Sequence, residues 1–498
     1  MRARIGVSIV GLALAGLAVA AVALAGRGGS SAAAGPAADG STLTSTWVDR
    51  DGNGTLEVGP GARLRDRTEI APPSPPIGTL ATFAQITDAH LRDEESPARA
   101  PLLDRLSPRL NSTFRPQEAL SPQVLTATVR SVDALHPDAV LETGDLIDND
   151  QANELRQALA VLDGGAVHPD SGAPGYDGLQ QRSNPDPFIY RPGLDPPRHP
   201  GLLDRAERPF TSPGLDAPWY PALGNHDLLV QGEVPPSPRL DRIAVGDREL
   251  VRLDPNLRLP PRNGGFTPRV VDRYLSHGPP GQTRRITRDP TRRLLSAHEV
   301  ISKLRRASAA GGSGPRLDYS FDVGSRVRVI VLDLVRRAGG AEGRVAPGQP
   351  RWLGAQLTAA GNRWVIIASH QPLTGSRGGG LLLRELDRDP RVIAALSGHT
   401  HANSIVPRRT AAGGYWLIST ASLTDYPQQA RALRVLETED GVEIVTWTLD
   451  SAPGGLADTS RQLAYLDADG GRPRGDAGRP TDRNVRLYLA RPPGLRPR

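Results

Sequence analysis

Between residues 79 and 450 the chain alternates short apolar runs with longer stretches whose apolar residues recur at helical spacing. Residues 80–86 (Leu-Ala-Thr-Phe-Ala-Gln-Ile) predict a strand that stops before Asp88. Ser121 and Pro122 predict a helix start, Ser as N-cap and Pro at the first position, with Val124, Leu125, Thr128, Val132 and Leu135 on one face. Residues 138–143 predict a second strand ending at Asp145, and Asn149 or Asp150 then caps a helix running to about Leu162. Residues 219–223 lead into Gly224. Residues 327–334 and 364–368 are apolar enough for strands buried on both faces, and residues 392–396 lead into Gly398. Residues 415–419, 432–437 and 442–449 predict closing strands, the last two joined by the turn Glu439-Asp440-Gly441. Strands alternating with helices predict an α/β domain. In such sheets, sites collect beyond the carboxyl ends of strands.

Two long insertions interrupt this pattern. Residues 164–216 are rich in Pro, Gly and Asp, and residues 228–315 are rich in Arg. Connections of this length are functional or disordered. Within the second, Asp289-Pro290 predicts the start of an amphipathic helix, with Leu294, Ala297, Ile301 and Leu304 on one face. Arg292 and Arg306 then fall on a solvated side, and Glu299 can pair with Lys303. The sharper reading of this segment is a phosphate clamp built from its arginines, Arg284 to Arg306. After Asp450, residues 456–466 predict one helix, followed by a Gly/Pro/Arg stretch. Residues 49–54 start like a calcium loop, but Pro60 stands where that loop needs a bidentate Glu. They read instead as a turn between two short strands.

Composition narrows the compartment more than the fold. The net charge is +6, but Lys303 is the only lysine and acids are interspersed with the arginines, so no polybasic tail or nucleic-acid groove is defined. The absence of cysteine excludes disulfides, thiolate nucleophiles and cysteine-type zinc sites. Arg2 and Arg4 precede an apolar run, Ile5 to Ala25, that ends in Ala23-Leu24-Ala25, a secretory signal pattern. The run is about 20 residues, long enough to span a bilayer, so signal peptide and signal anchor both stand. The expected location is outside the cell or anchored to the outer face of the cytoplasmic membrane. The expected domains are a leader (1–25), a flexible Gly/Ala/Ser tether (26–41), an N-terminal arm (42–78), the α/β domain (79–450) and a C-terminal extension (451–498).

Five blocks at the predicted strand ends carry the chemistry: Thr87-Asp88-Ala89-His90, Thr143-Gly144-Asp145, Gly224-Asn225-His226-Asp227, Ala368-Ser369-His370 and Gly398-His399-Thr400-His401. Asp88 and His90 can reach one ion, Asp145 can bridge two with its two oxygens, Asn225 offers an amide oxygen, and His370, His399 and His401 offer imidazoles. This supply amounts to about four ligands per ion for two ions, and mixed N/O ligation without sulfur suits Fe, Mn, Zn or Co rather than calcium. Two such ions clamp a phosphate and generate a nucleophile at neutral pH. His226, left over from the ligand count and next to Asp227, is placed to protonate a leaving alkoxide. Of the other histidines, His136 reads as a helix-end cap. His168, His199, His277 and His298 lie in insertions without ligand spacing and read as structural or solvent-facing.

These blocks, Asp-x-His, Gly-Asp, Gly-Asn-His-Asp, His and Gly-His-x-His in that order, resemble the calcineurin-like metallophosphoesterase family over about residues 79–450. The leader and stretched gaps resemble an exported actinobacterial-type subgroup with long insertions. The resemblance implies a four-layer αββα sandwich and a dinuclear site. One metal would take Asp88, His90, Asp145 and His401, and the other Asp145, Asn225, His370 and His399. It further implies a metal-bridging hydroxide attacking phosphorus in line, with His226 as general acid oriented by Asp227. Purple acid phosphatases carry an iron-binding Tyr where Asp148 stands, so a purple chromophore is not expected. The function read from this is an exported dinuclear-metal hydrolase of a phosphomonoester or phosphodiester. Its substrate would be a small molecule or a cell-envelope component, with no specific nucleic acid and no membrane contact beyond an N-terminal anchor. The alternatives are a non-catalytic metal-binding cell-surface protein of the same fold, or a nuclease.

Overall fold

A computed structural model describes residues 40–102, 114–254, 281–467 and 475–496, with Arg269, Asp272 and Gly471. The expected leader, nearly all of the tether and His277 lie outside the described residues. Among the described residues, no helix is long and apolar enough to cross a membrane.

The near-continuous apolar runs become parallel strands buried on both faces, as such runs must to shed water from either side. Val327–Leu332, Trp364–Ser369, Val392–Ser397 and Gly413–Ser419 lie side by side in parallel. Tyr319–Val323 and Ser404–Thr410 add antiparallel edges, giving six strands. A second sheet has seven strands in the order Arg65–Arg67, Val485–Ala490, Gly441–Asp450, Gln429–Thr438, Pro76–Ile86, Ala139–Glu142 and Trp219–Pro221. Its last three strands are parallel, with Phe83 opposite Ala139 and Val140 opposite Trp219. One core holds residues from both sheets, among them Phe83, Val140, Ile330, Ile366, Trp416 and Ile444.

Helices Ser121–Ala134, Ala152–Leu162 and Gly455–Leu466 pack together on the seven-stranded sheet. Crossover helices Gln349–Ala359 and Gly379–Leu386 bury Leu353, Leu357, Leu382 and Leu386 in the same core. The architecture is the four-layer αββα sandwich.

Several boundaries differ from the sequence expectation. The domain does not stop at 79 and 450, because a strand of the arm (Arg65–Arg67) and one of the C-terminal extension (Val485–Ala490) join the seven-stranded sheet. Ser121 is not an N-cap: a 3₁₀ turn, Glu118–Leu120, runs straight into the helix, and the Ser121 hydroxyl accepts from the Arg92 amide at 3.2 Å. Neither Asn149 nor Asp150 caps the next helix. Its N-cap is Gln151, and Glu154 accepts from the amides of Asp148 and Asn149. Asp289 caps only a 3₁₀ turn, Pro290–Arg292, while the α-helix Ala297–Ala307 starts from a Ser296/Glu299 capping box. Glu299 therefore pairs with Arg293 rather than Lys303. The turn between two short strands is present, Ser45–Val48 pairing with Glu57–Pro60.

The insertions pack against each other. A second apolar cluster joins Leu179 and Ile189 of the first to Val230, Leu240, Val251 and Leu294 of the second, and both to Ala98, Leu102 and Phe114. Arg292 is not on a solvated side. It is 1% exposed and donates to Asp93, Ser171 and the Thr287 carbonyl. Arg284 is likewise tied to Glu249 and Asp177, so neither arginine is presented to a phosphate. The second insertion nevertheless begins at the site, where Gly232 adopts φ +66° against His226 and Asn225.

Candidate metal centre

All five blocks lie just past the carboxyl ends of parallel strands. Pro76–Ile86, Ala139–Glu142 and Trp219–Pro221 of the seven-stranded sheet supply Asp88 and His90, Asp145, and Asn225. Trp364–Ser369 and Val392–Ser397 of the six-stranded sheet supply His370, and His399 with His401. The loops carrying Asp88 and Asp145 continue the strand pairing, Asp88 N–H to Gly144 O and His90 N–H to Asp145 O, both at 2.9 Å.

Holding ligands this close requires unusual backbone. Asp88, His90, Asp145, His399 and His401 all have positive φ, between 42° and 67°. Non-glycine residues rarely adopt this region, and strain of about 1–3 kcal/mol each persists only where the surroundings enforce it. Two glycines give the ligands room. A Cβ on Gly224 would collide with the Asp145 carboxylate, and one on Gly398 with Asp88 and Thr87.

The ligands form two groups, Asp88/His90/His401 and Asp145/His370/His399, each with ligand atoms within 4.8 Å of one another. Fixed tautomers show what the groups are for. His370 Nδ1 faces the Thr143 carbonyl at 2.9 Å, and a carbonyl only accepts, so Nδ1 carries the proton and Nε2 turns inward. His90 Nδ1 lies 3.0 Å from Asp148, and His401 Nδ1 bonds Asp425. Inward-facing atoms are then crowded acceptors. His90 Nε2 is 3.2 Å from His401 Nε2, and His370 Nε2 is 3.2 Å from His399 Nδ1 and 3.0 Å from Asp145 Oδ2. Metal–ligand bonds of about 2.0–2.2 Å place neighbouring donors about 3.0–3.4 Å apart, so these spacings fit a metal shell.

The electrostatics agree. Burial alone would lower His370 and His401, but the carboxylates of Asp145 and Asp88 raise His370 to about 9. Asp88 and Asp425 raise His401 to about 10 against the same burial. Burial, with His226 near one and His370 near the other, drops His90 and His399 to about 4. Burial opposes ionisation of Asp88, yet His370 and His401 hold it at about 2. Asp145 is held well below its ordinary value by His370 and His226, again against burial. Each group thus concentrates one extra proton where lone pairs converge, and a metal ion satisfies the same lone pairs by displacing that proton. The donor set fits two ions, and Asp145 belongs to groups on both sides, with His90 and His226 and with His370 and His399. Asn225 Nδ2 donates to the Gly232 carbonyl at 3.2 Å, leaving Oδ1, reached by Gln371 Nε2, as its acceptor.

His226 joins His90 and Asp145 within ligand distance but turns Nδ1 to the Asp148 carbonyl at 2.6 Å. The expectation that Asp227 orients this ring is corrected. Asp227 accepts from the amides of Gly224, Asp145 and Ile147, at 2.8, 3.1 and 3.2 Å, and so ties two ligand loops together. Burial, then the charge of Asp145, raises its carboxyl to about 7. Sequence reasoning also missed the groups behind the ligands. Asp425 and Asp148 orient His401 and His90, and both are buried against arginines, Asp425 with Arg115 and Asp148 with Arg92 and Arg99. Glu118 binds Arg99 at 2.8 and 3.1 Å. Asp425 lies six residues beyond the end of the strand Gly413–Ser419, too far for the strand-end rule to mark it. The remaining described histidines, His136, His168, His199 and His298, belong to neither group.

The family model for calcineurin-like phosphoesterase matches residues 81–403, and the chain belongs to that family. It is a metal-dependent hydrolase, with a dinuclear centre implied by the family and by its two Asp/His groups. Among solved structures it is similar to a dimetal phosphatase from Danio rerio, at 14% identity and TM-score 0.40, covering 75% of this chain and 97% of that one. It is similar to the structure described as PhoD at 11% identity and TM-score 0.34, covering 82% and 80%. A third is the sulfate thiohydrolase SoxB of Thermus thermophilus, at 14% identity and TM-score 0.30, covering 79% and 61%. No curated protein matches the chain.

Proposed function

We propose that the chain is an exported phosphoesterase that cleaves a phosphomonoester or phosphodiester, with His226 protonating the leaving oxygen. The observation that carries this reading is the bond between His226 Nδ1 and the Asp148 carbonyl. It fixes the Nδ1 proton and leaves Nε2 as the ring's exchangeable position, beside the His90 ring at a centroid distance of 4.5 Å. His226 is also less buried than the carboxylate ligands, with 17% of its side chain exposed, as contact with a substrate requires. Asp88, His90, Asp145 and His401 would hold one ion and Asp145, Asn225, His370 and His399 the other, as Fe, Mn or Zn. Two bound cations supply charge that clamps a phosphoryl group and a water acidic enough to serve as nucleophile near neutral pH. Asp148 and Asp425 fix the ligand rings, and Asp227 fixes the loops. Arg92, Arg99 and Arg115 are engaged by Asp148, Asp425 and Glu118, so among these groups the cations and His226 are left to contact the phosphate. Export rests on the leader pattern, and a small phosphate ester or a cell-envelope ester is the substrate class that fits it.

The test is a leaving-group series on His226→Ala. Aryl phosphates with acidic leaving groups should be cleaved nearly as well as by the parent, and alkyl or phenyl esters far more slowly, at unchanged metal content. Equal loss across the series would remove His226 from the proton-transfer step.

A further inference from the structure

A second group of carboxylates with ligand spacing lies outside the dinuclear centre. Glu95, Asp170 and Glu207 bring carboxylate oxygens within 4.8 Å of one another. Glu95 lies on the loop that continues from Asp88 and His90. Asp170 and Glu207 come from near the two ends of the first insertion. Glu95 is 1% and Glu207 6% exposed, and Asp170 is half-buried.

Counting donors leaves this group short. Glu95 is served: one oxygen accepts from the Asp177 amide and the other from Ser171 Oγ at 3.2 Å. Asp170 Oδ2 accepts from Gly175 N–H at 3.1 Å. Both oxygens of Glu207 and Oδ1 of Asp170 are buried without a donor, and the group Glu207 meets is the Glu95 carboxyl, itself an acceptor when ionised. Native proteins rarely leave such atoms unsatisfied, and an unpaired buried carboxylate is among the costliest. Charge is also out of balance. Asp93 and Glu94 add to the acids, while Arg292, 3.6 Å from Glu95, is shared with Asp93 at 3.1 Å. Burial and then the neighbouring Glu94 push Glu207 up to about 11, the signature of a carboxylate lacking a counter-charge.

We infer that Glu95, Asp170 and Glu207 form a calcium site, distinct from the dinuclear centre, that clamps the first insertion to the loop following His90. Among the described residues only carboxylate oxygens converge here, with no imidazole, which selects a hard cation. Three carboxylates, two from loops and one at the C-cap of helix Leu202–Ala206, suit the loose six- to eight-fold shell of calcium better than the strict octahedron of magnesium, and water or backbone carbonyls would complete it. The assignment does not depend on the reaction catalysed.

Calorimetric titration of the full chain, its transition metals bound and assayed, with calcium chloride is the test. One calcium should bind per chain, with Kd on the order of 10⁻⁵–10⁻³ M. Glu207→Gln and, as a milder change at a half-buried position, Asp170→Asn should each weaken it by at least about tenfold, with transition-metal content unchanged. No calcium binding to the parent, or affinity in both variants equal to the parent's, would overturn the site. So would a calcium-independent gain in stability of Glu207→Gln at neutral pH, which would identify a proton shared between Glu95 and Glu207 instead.

Discussion

His90 and His401 point Nε2 at each other across 3.2 Å, while the opposite nitrogen of each ring is held by a carboxylate, Asp148 and Asp425 respectively. Two rings so oriented bring two lone pairs together, which one proton satisfies in the metal-free fold and a metal ion satisfies by displacing it. Carboxylates behind metal-bound imidazoles fix orientation and raise ligand basicity, and losing one typically costs about 10–100-fold in metal affinity. Asp425→Asn should therefore weaken one of the two ions by about 10–100-fold in a chelator competition. An unchanged affinity would mean that Asp425 serves Arg115 alone.

Metal binding should depend on pH with a definite sign. In the metal-free fold His370 and His401 are raised to about 9 and 10, above the ordinary value of about 6.5. Their contribution to the metal-free fold is therefore full below about pH 6.5 and is lost as pH rises through about 9 and 10. A metal must displace both protons, so its affinity runs the other way and increases with pH. Calorimetry in buffers of different ionisation enthalpy should detect proton release near neutral pH. Affinity that stays flat from neutral to alkaline pH would contradict the proton-for-metal exchange.

The glycines of the blocks should be intolerant for a local reason. Gly398→Ala would drive a Cβ into Asp88 and Thr87, so bound metal and activity should fall together, by about a hundredfold for a displaced reacting group. Gly78→Ala, where nothing lies within 4 Å of the added Cβ, serves as the control and should leave both unchanged. Metal analysis of the two variants separates ligand displacement from a general loss of stability.

Arg292 should behave as an interior strut. Removing one partner of a buried pair leaves the other uncompensated, at about 3–5 kcal/mol. Arg292→Ala exposes Asp93 and Glu95 to that penalty, so the urea midpoint should drop sharply. Arg306→Ala at the C-terminal end of helix Ala297–Ala307 should shift it little. Similar midpoints for both would restore a solvated Arg292.

What sequence reasoning could reach depended on range. Asp88, Asp145 and the paired histidines were legible because each sits within a few residues of an apolar run, and that short pattern survives without a fold. The αββα class followed from the family resemblance those blocks carry. Asp425, Arg92, Arg99 and Arg115 were not legible, since their meaning comes from burial against partners far away in sequence. Val485–Ala490 was hidden for a related reason: a six-residue strand flanked by arginine and proline reads as a strand only beside Gly441–Asp450. Arg292 was misread because helical periodicity was extended seven residues too far, from Ala297 back to Pro290 across a 3₁₀ turn. The role given to Asp227 failed because adjacency to His226 in sequence placed its carboxylate on backbone amides rather than on the ring.

The central claim is a hydrolase whose activity resides in two metal ions held by Asp88, His90, Asp145, Asn225, His370, His399 and His401. Turnover of an aryl phosphate ester by protein stripped of metal, then titrated with Mn²⁺ while bound metal is counted, tests it most directly. The account predicts no turnover when stripped and recovery as the two ions return, with Asp145→Ala failing to recover. Full turnover after complete metal removal, or a fully loaded protein inert toward both phosphomonoesters and phosphodiesters, would contradict it.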